Sequence, residues 1–109
     1  MTLTPPPEIV ERLVWDGVTI ELRYETDWGG LSEMGPAHQI AHVIVRVLEP
    51  VGAPLPITET GYRSQFLRPW EVEEAGGLAP FVRGWLNEAA CQPVWRRVQT
   101  AWRQLDLFG

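Results

Sequence analysis

The stretch Ile9-Val10-Glu11-Arg12-Leu13-Val14-Trp15-Asp16-Gly17-Val18-Thr19-Ile20-Glu21-Leu22-Arg23-Tyr24-Glu25 decides the fold. Two β-favouring runs flank Asp16-Gly17, and Asp-Gly between alternating apolar residues is the strongest short-range hairpin signal. A two-residue loop sets the register. It pairs Trp15 with Val18, Leu13 with Ile20, Glu11 with Leu22 and Ile9 with Tyr24, and this mostly apolar face is the buried one. The other face pairs Val14 with Thr19, Arg12 with Glu21 and Val10 with Arg23, and it predicts an Arg12–Glu21 ion pair in water.

Working outward, residues 1–7 read as a flexible, proline-rich lead-in. Residues 26–37 form a loop by their Gly and Pro content. A third strand is predicted over Gln39–Glu49, with Ala41, Val43, Val45 and Val47 on one face. The Pro-rich turn 50–56 leads into a fourth strand over Ile57–Leu67. Residues 70–77 are acidic and form a short helix or a loop. Beyond them the apolar period lengthens. Leu78, Phe81, Val82, Trp85, Leu86 and Ala89 make one stripe of a helix over Leu78–Cys91. Trp95, Val98, Trp102 and Leu105 make the stripe of a second helix that starts at Pro93. The expected class is α+β: an antiparallel sheet of about four strands with two C-terminal helices on one face. A single domain spans 8–103, and 104–109 form a tail.

The chain has 109 residues, 45% of them apolar, with six Trp and one Cys. That is enough for one core without a disulfide or metal staple. Cys91 cannot form an intrachain disulfide, which suits a reducing compartment. Met1–Pro7 has neither a basic nor an apolar run, so no signal peptide is expected and the expected location is cytoplasmic. The formal net charge is −5. Residues 1–79 carry five Arg against twelve acids, a net −7, and residues 80–109 carry four Arg against two acids, a net +2. An acidic body argues against direct binding of duplex DNA. All nine basic residues are Arg, a usage that fits a GC-rich bacterial or phage genome.

No catalytic or cofactor signature emerges. His38 and His42 are four apart at the start of a β-type run, without the third ligand that zinc needs. Ser32, Ser64 and Cys91 lack a nucleophile signature, and Cys91 reads as a small hydrophobe at a helix end. Glu71, Glu73 and Glu74 read as a solvated face. The pairs Gly29-Gly30 and Gly76-Gly77 have no phosphate-loop lysine. Four of the six Trp fall on core faces, which disfavours a base-stacking platform. Neither metal, cofactor nor enzymatic activity is expected. Tyr62, Arg63, Ser64 and Gln65 are less generic. Tyr and Arg are favoured at contact hot spots, so these four make a second candidate surface, against the plainer reading of an edge strand beside a Gly bulge.

The primary candidate is Gln104-Leu105-Asp106-Leu107-Phe108. It resembles the motif by which bacterial replication and repair proteins hold the DNA polymerase sliding clamp: Gln, an aliphatic residue, a small or acidic residue, Leu, then Phe. The resemblance covers only these five residues. It implies an extended tail with Leu107 and Phe108 in an apolar pocket of the clamp, Leu105 in a shallower site, Gln104 fixing register and Asp106 as a spacer. The plainer reading continues the Trp95–Trp102 stripe through Leu105 into the core. Two partner expectations follow: the sliding clamp, or a nucleic-acid-binding host defence complex inhibited by an acidic phage or plasmid protein of the anti-CRISPR or anti-restriction type. The second needs a contiguous acidic face built from Glu71, Glu73 and Glu74 with Asp27 and Glu33.

Overall fold

The computed structural model describes residues 8–108, with only the backbone given for Asp106, Leu107 and Phe108. The lead-in 1–7 and Gly109 lie outside the described residues. Four strands form one antiparallel sheet in the order β1 (Glu8–Trp15), β2 (Val18–Glu25), β3 (Ala41–Glu49) and β4 (Tyr62–Leu67). Three helices follow: α1 (Pro69–Ala75), α2 (Leu78–Ala90) and α3 (Pro93–Phe108). The expected α+β architecture is therefore present, with α1 as a short addition ahead of the two main helices.

The β1–β2 register is the one that the Asp-Gly loop dictates, with Trp15 opposite Val18 and Ile9 opposite Tyr24. Asp16 (φ 47) and Gly17 (φ 77) both take the left-handed conformation that a two-residue hairpin turn requires. Side chains alternate across the pleat, so one face collects Leu13, Trp15, Ile20, Leu22, Tyr24, Ala41, Val43, Val45 and Leu67, all buried. Val72 of α1 and Leu78, Val82 and Leu86 of α2 close over that face, followed by Trp95 of α3. Each fully buried Leu or Ile there contributes about 1.5–3 kcal/mol. One polar link crosses the layers: Trp15 Nε1 donates to Asn87 Oδ1 at 2.8 Å, tying β1 to α2.

On the opposite face of the sheet Val10, Val14, Tyr62 and Phe66 are exposed, and none of α1, α2 or the described part of α3 contributes to its cover. The expected Arg12–Glu21 ion pair is replaced. Glu21 Oε1 instead accepts from Arg23 Nε at 3.0 Å and Arg46 Nη2 at 3.1 Å. Arg46 lies directly across on β3, and the strand-mate Arg23 folds back, so both reach one oxygen. The hydrogen bond from Arg23, before the charges of Arg46 and Arg12, holds the Glu21 carboxyl below its ordinary pKa, against a smaller opposing effect of burial.

β1 and β2 keep their expected bounds to within one residue, whereas β3 and β4 are shorter than expected. β3 starts at Ala41 because the preceding residues close a 3₁₀ turn, Pro36–His38. β4 starts at Tyr62 because Thr58 and Thr60 tie residues 58–62 into a hydroxyl-bonded turn. The loop 26–37 is itself ordered as 3₁₀ turns, with Asp27 accepting from the backbone N–H and the hydroxyl of Ser32.

Candidate functional site

The structure separates the residues expected to carry function into two places. The first is the far end of α3. Pro93 opens this helix, and Trp95 packs against Trp15 with ring centroids 6.0 Å apart. From there the helix peels away. Trp95 is 9% exposed, Val98 and Trp102 are half-buried, and Leu105 is 67% exposed. Gln99 adds one tether by donating to Asp16 Oδ2 at 2.8 Å. Arg96, Arg97, Arg103 and Gln104 face outward. Leu105 therefore does not extend the buried stripe.

The backbone corrects one expectation about Gln104–Phe108. It is helical through Phe108 instead of leaving the helix near Arg103 as an extended tail. The cause is local. Gln, Leu and Arg are good helix formers, and no Gly or Pro interrupts residues 94–108. The side chains of Asp106, Leu107 and Phe108 lie outside the described residues.

The second place is β4, the edge strand that carries Tyr62, Arg63, Ser64 and Gln65. These four do not act as one group, because strand alternation sends them to opposite faces. Tyr62 and Ser64 lie on the open face, where Ser64 Oγ is 2.5 Å from His42 Nε2. The His42 ring in turn stacks on Phe66, and Phe66 meets Trp28 edge-on at 5.0 Å. Arg63 and Gln65 lie on the helix side. Arg63 sits over the Trp85 ring at 5.7 Å and donates to Gln65 Oε1 at 3.1 Å. Beyond them, between β4 and α2, runs an open groove of about 640 Å³. Phe81, Trp85 and Glu88 line it. A reading of the sequence alone overlooked those three as a site. Phe81 and Trp85 sit on an apolar helical stripe, and such a stripe reads first as core.

The remaining candidates have structural roles. His42 is engaged with Ser64 and Phe66, and no group of three or more metal-binding side chains occurs among the described residues. The Ser64–His42 pair has no carboxylate hydrogen-bonded to the imidazole among the described residues. Cys91, expected as a small hydrophobe in the last turn of the helix, instead falls just after α2, where it is exposed and its thiol donates to Asn87 O. Glu71 is partly committed: one carboxylate oxygen accepts from Arg68 N at 2.8 Å and caps α1. Glu73 and Glu74 are exposed on the same helix. Burial raises the Tyr24 hydroxyl pKa, and the charges of Glu73 and Glu71 raise it further. Asp27 is held by Ser32 and is not free to join an acidic face. Among the described residues, no helix is long and apolar enough to cross a membrane.

The sheet and the two helices that cover it coincide with a known domain, since the family model of the KlcB third domain matches residues 9–95. The chain belongs to the KlcB third domain family. The match begins at the second residue of β1 and ends at Trp95, the last buried position among the described residues. The family domain is thus the packed unit. Arg96–Phe108, with the Gln-Leu-Asp-Leu-Phe stretch, lies outside the matched residues. No curated protein and no solved structure matches the chain.

Proposed function

We propose that this KlcB third domain is a non-enzymatic interaction module that docks on the bacterial DNA sliding clamp through Gln104–Phe108. The observation that carries the reading is the exposure of Leu105, 67%, on a helical extension beyond the last buried residue and beyond the family match. A core helix end would bury that side chain. A recognition element would present it, as an appended peptide does. Docking in extended form requires the last turn or so of α3 to unwind. That costs little, because terminal carbonyls have no helical partner and Leu105 gives up little packing. Leu107 and Phe108 then serve as apolar anchors, and Gln104 sets the register.

The test is binding of the purified full chain to a purified bacterial sliding clamp, measured by biolayer interferometry. Saturable binding is expected for the native chain. The double variant Leu107→Ala/Phe108→Ala, and a chain ending at Arg103, should each bind at least about tenfold more weakly, a change of roughly 1.4 kcal/mol. Far-ultraviolet circular dichroism should show both variants folded. Undiminished binding by the chain that ends at Arg103 would end the proposal.

A second reading has one observation in its favour. Glu73 and Glu74 are exposed on α1 and form no ion pair among the described residues, so they are open to a basic surface such as the nucleic-acid channel of a defence complex. Reversing both charges with Glu73→Lys/Glu74→Lys should abolish inhibition of such a complex and leave clamp binding intact.

A further inference from the structure

We propose that the free edge of β4, together with the groove beneath it, binds an extended, basic-apolar segment of a partner protein as a fifth strand of the sheet. The backbone supplies the first half of the site. Val47 N donates to Gly61 O at 2.8 Å, which places Gly61 in register with β3. Alternation along an antiparallel ladder then turns the N–H and C=O groups of Tyr62, Ser64 and Phe66 away from β3. Two of the outward carbonyls are held at the ends of the strand: Thr58 Oγ1 donates to Tyr62 O at 2.8 Å, and Gln65 Nε2 donates to Phe66 O at 3.2 Å. The central pair, Ser64 N–H and C=O, is left open among the described residues. The edge is protected at both ends and receptive in the middle, which limits indiscriminate sheet pairing while leaving a docking point.

The side chains supply the second half. A strand added beside β4 points alternate residues to opposite faces. One set meets Tyr62 and Phe66, which are 51% and 48% exposed on the open face. The other set enters the groove against Leu67, Phe81 and Trp85. Gly84 forms part of its wall at mid-helix in α2, with nothing within 4 Å of the place where a Cβ would stand. A helix-interior glycine destabilises its helix relative to alanine. Its position here leaves the wall low enough for another chain to approach the helix backbone.

Charge selects the occupant. Glu71 and Glu88 line the groove, and Glu88 is exposed one turn beyond Gly84. Arg63, the groove's cation, is already engaged by Trp85 and Gln65. The site therefore favours apolar side chains alternating with Arg or Lys, and disfavours acidic segments.

The probe is a fluorescein-labelled, acetylated hexapeptide of alternating Leu and Arg, with alternating Leu and Glu as the control, read by fluorescence anisotropy against the full chain. Saturable binding of the Leu/Arg peptide is expected, with the Leu/Glu peptide at least about tenfold weaker. Gly84→Leu fills the groove while favouring the helix, and Ser64→Pro removes the open N–H at an edge position that tolerates proline. Each should weaken the Leu/Arg peptide at least about tenfold with the circular dichroism spectrum unchanged. Glu88→Arg, at an exposed position, gives an independent check and should narrow or reverse the preference between the two peptides. The chain that ends at Arg103 should bind as the native chain does, which separates this site from the clamp motif. Absence of saturable binding, equal binding of both peptides, or binding unaffected by Gly84→Leu, Ser64→Pro and Glu88→Arg would overturn the proposal.

Discussion

Replacing the apolar positions of α3 by Ala, one at a time, should give destabilisations that fall along the helix. Trp95 is 9% exposed, touches Trp15 and belongs to the central cluster. A buried Trp→Ala change costs about 3–5 kcal/mol, and a position at the rim of the core belongs at the lower end, about 3. Trp102 is half-buried, so Trp102→Ala should cost about 1–2 kcal/mol, in proportion to the smaller area removed from water. Leu105 is 67% exposed, so about a third of its side chain is covered. Full burial of Leu is worth about 2 kcal/mol, which leaves about 0.6, and the better helix propensity of Ala offsets part of that. The net for Leu105→Ala is about 0.5 kcal/mol or less. Urea unfolding followed by Trp fluorescence for the Leu variant, and by circular dichroism for all three, gives these values as midpoint shifts at constant slope. A Leu105→Ala cost above about 1.5 kcal/mol would show that the end of α3 packs as core, and the premise of an appended recognition element would fall with it.

Two further outcomes follow from the sheet. Gly17→Ala forces a side chain into a left-handed conformation (φ 77) and should cost about 1 kcal/mol by urea unfolding, without changing the circular dichroism spectrum; a neutral effect would contradict the turn geometry. Tyr24 has a hydroxyl pKa raised by burial first and by Glu73 and Glu71 second, so its contribution to stability is complete below the unfolded-state value near 10 and is lost as pH rises from there through the folded-state value. Tyr24→Phe should accordingly reduce the loss of stability as pH rises above about 10, seen as a smaller fall in melting temperature than the native chain shows; an identical fall in both would refute the assignment.

The parts of this fold that were legible in the sequence are those where a local rule and the burial pattern agree. Asp16-Gly17 sets a two-residue loop, the loop sets the register, and the register puts Leu13, Trp15, Ile20 and Leu22 on one face, where the structure buries them. The spacing of Leu78, Val82 and Leu86 is equally unambiguous, and all three are buried. The misreadings arose where two readings share one pattern. An apolar stripe cannot show that a residue packed against the core also borders a groove, as the half-buried Phe81 and Trp85 do. Nor does a period reveal where packing stops: Leu105 keeps the spacing of Trp95 and Trp102 after the sheet beneath it has ended. The partner of Glu21 was missed for a related reason, because cross-strand pairing within one hairpin is local whereas the Arg46 contact needs the position of β3.

The boundary of the family match bears on how the two proposed surfaces relate. β4, α1 and α2 lie inside residues 9–95, so the strand edge and the groove are built from the shared KlcB third domain itself. Both depend on the same core residues, Leu67 and Leu86 among them, and cannot be removed without disturbing that core. The end of α3 has the opposite character: beyond the half-buried Trp102 its described side chains, Arg103, Gln104 and Leu105, are exposed and can change with little energetic consequence for the domain. No residue of α3 lines the groove, and mutations at separated positions that share no partners add independently. Gly84→Leu and removal of residues 104–109 should therefore have additive, uncoupled effects, each on its own ligand only. Coupling above about 0.5 kcal/mol in a double-mutant cycle, read as clamp affinity changed by Gly84→Leu, would mean that the two surfaces form one site and that the tail docks in its own groove.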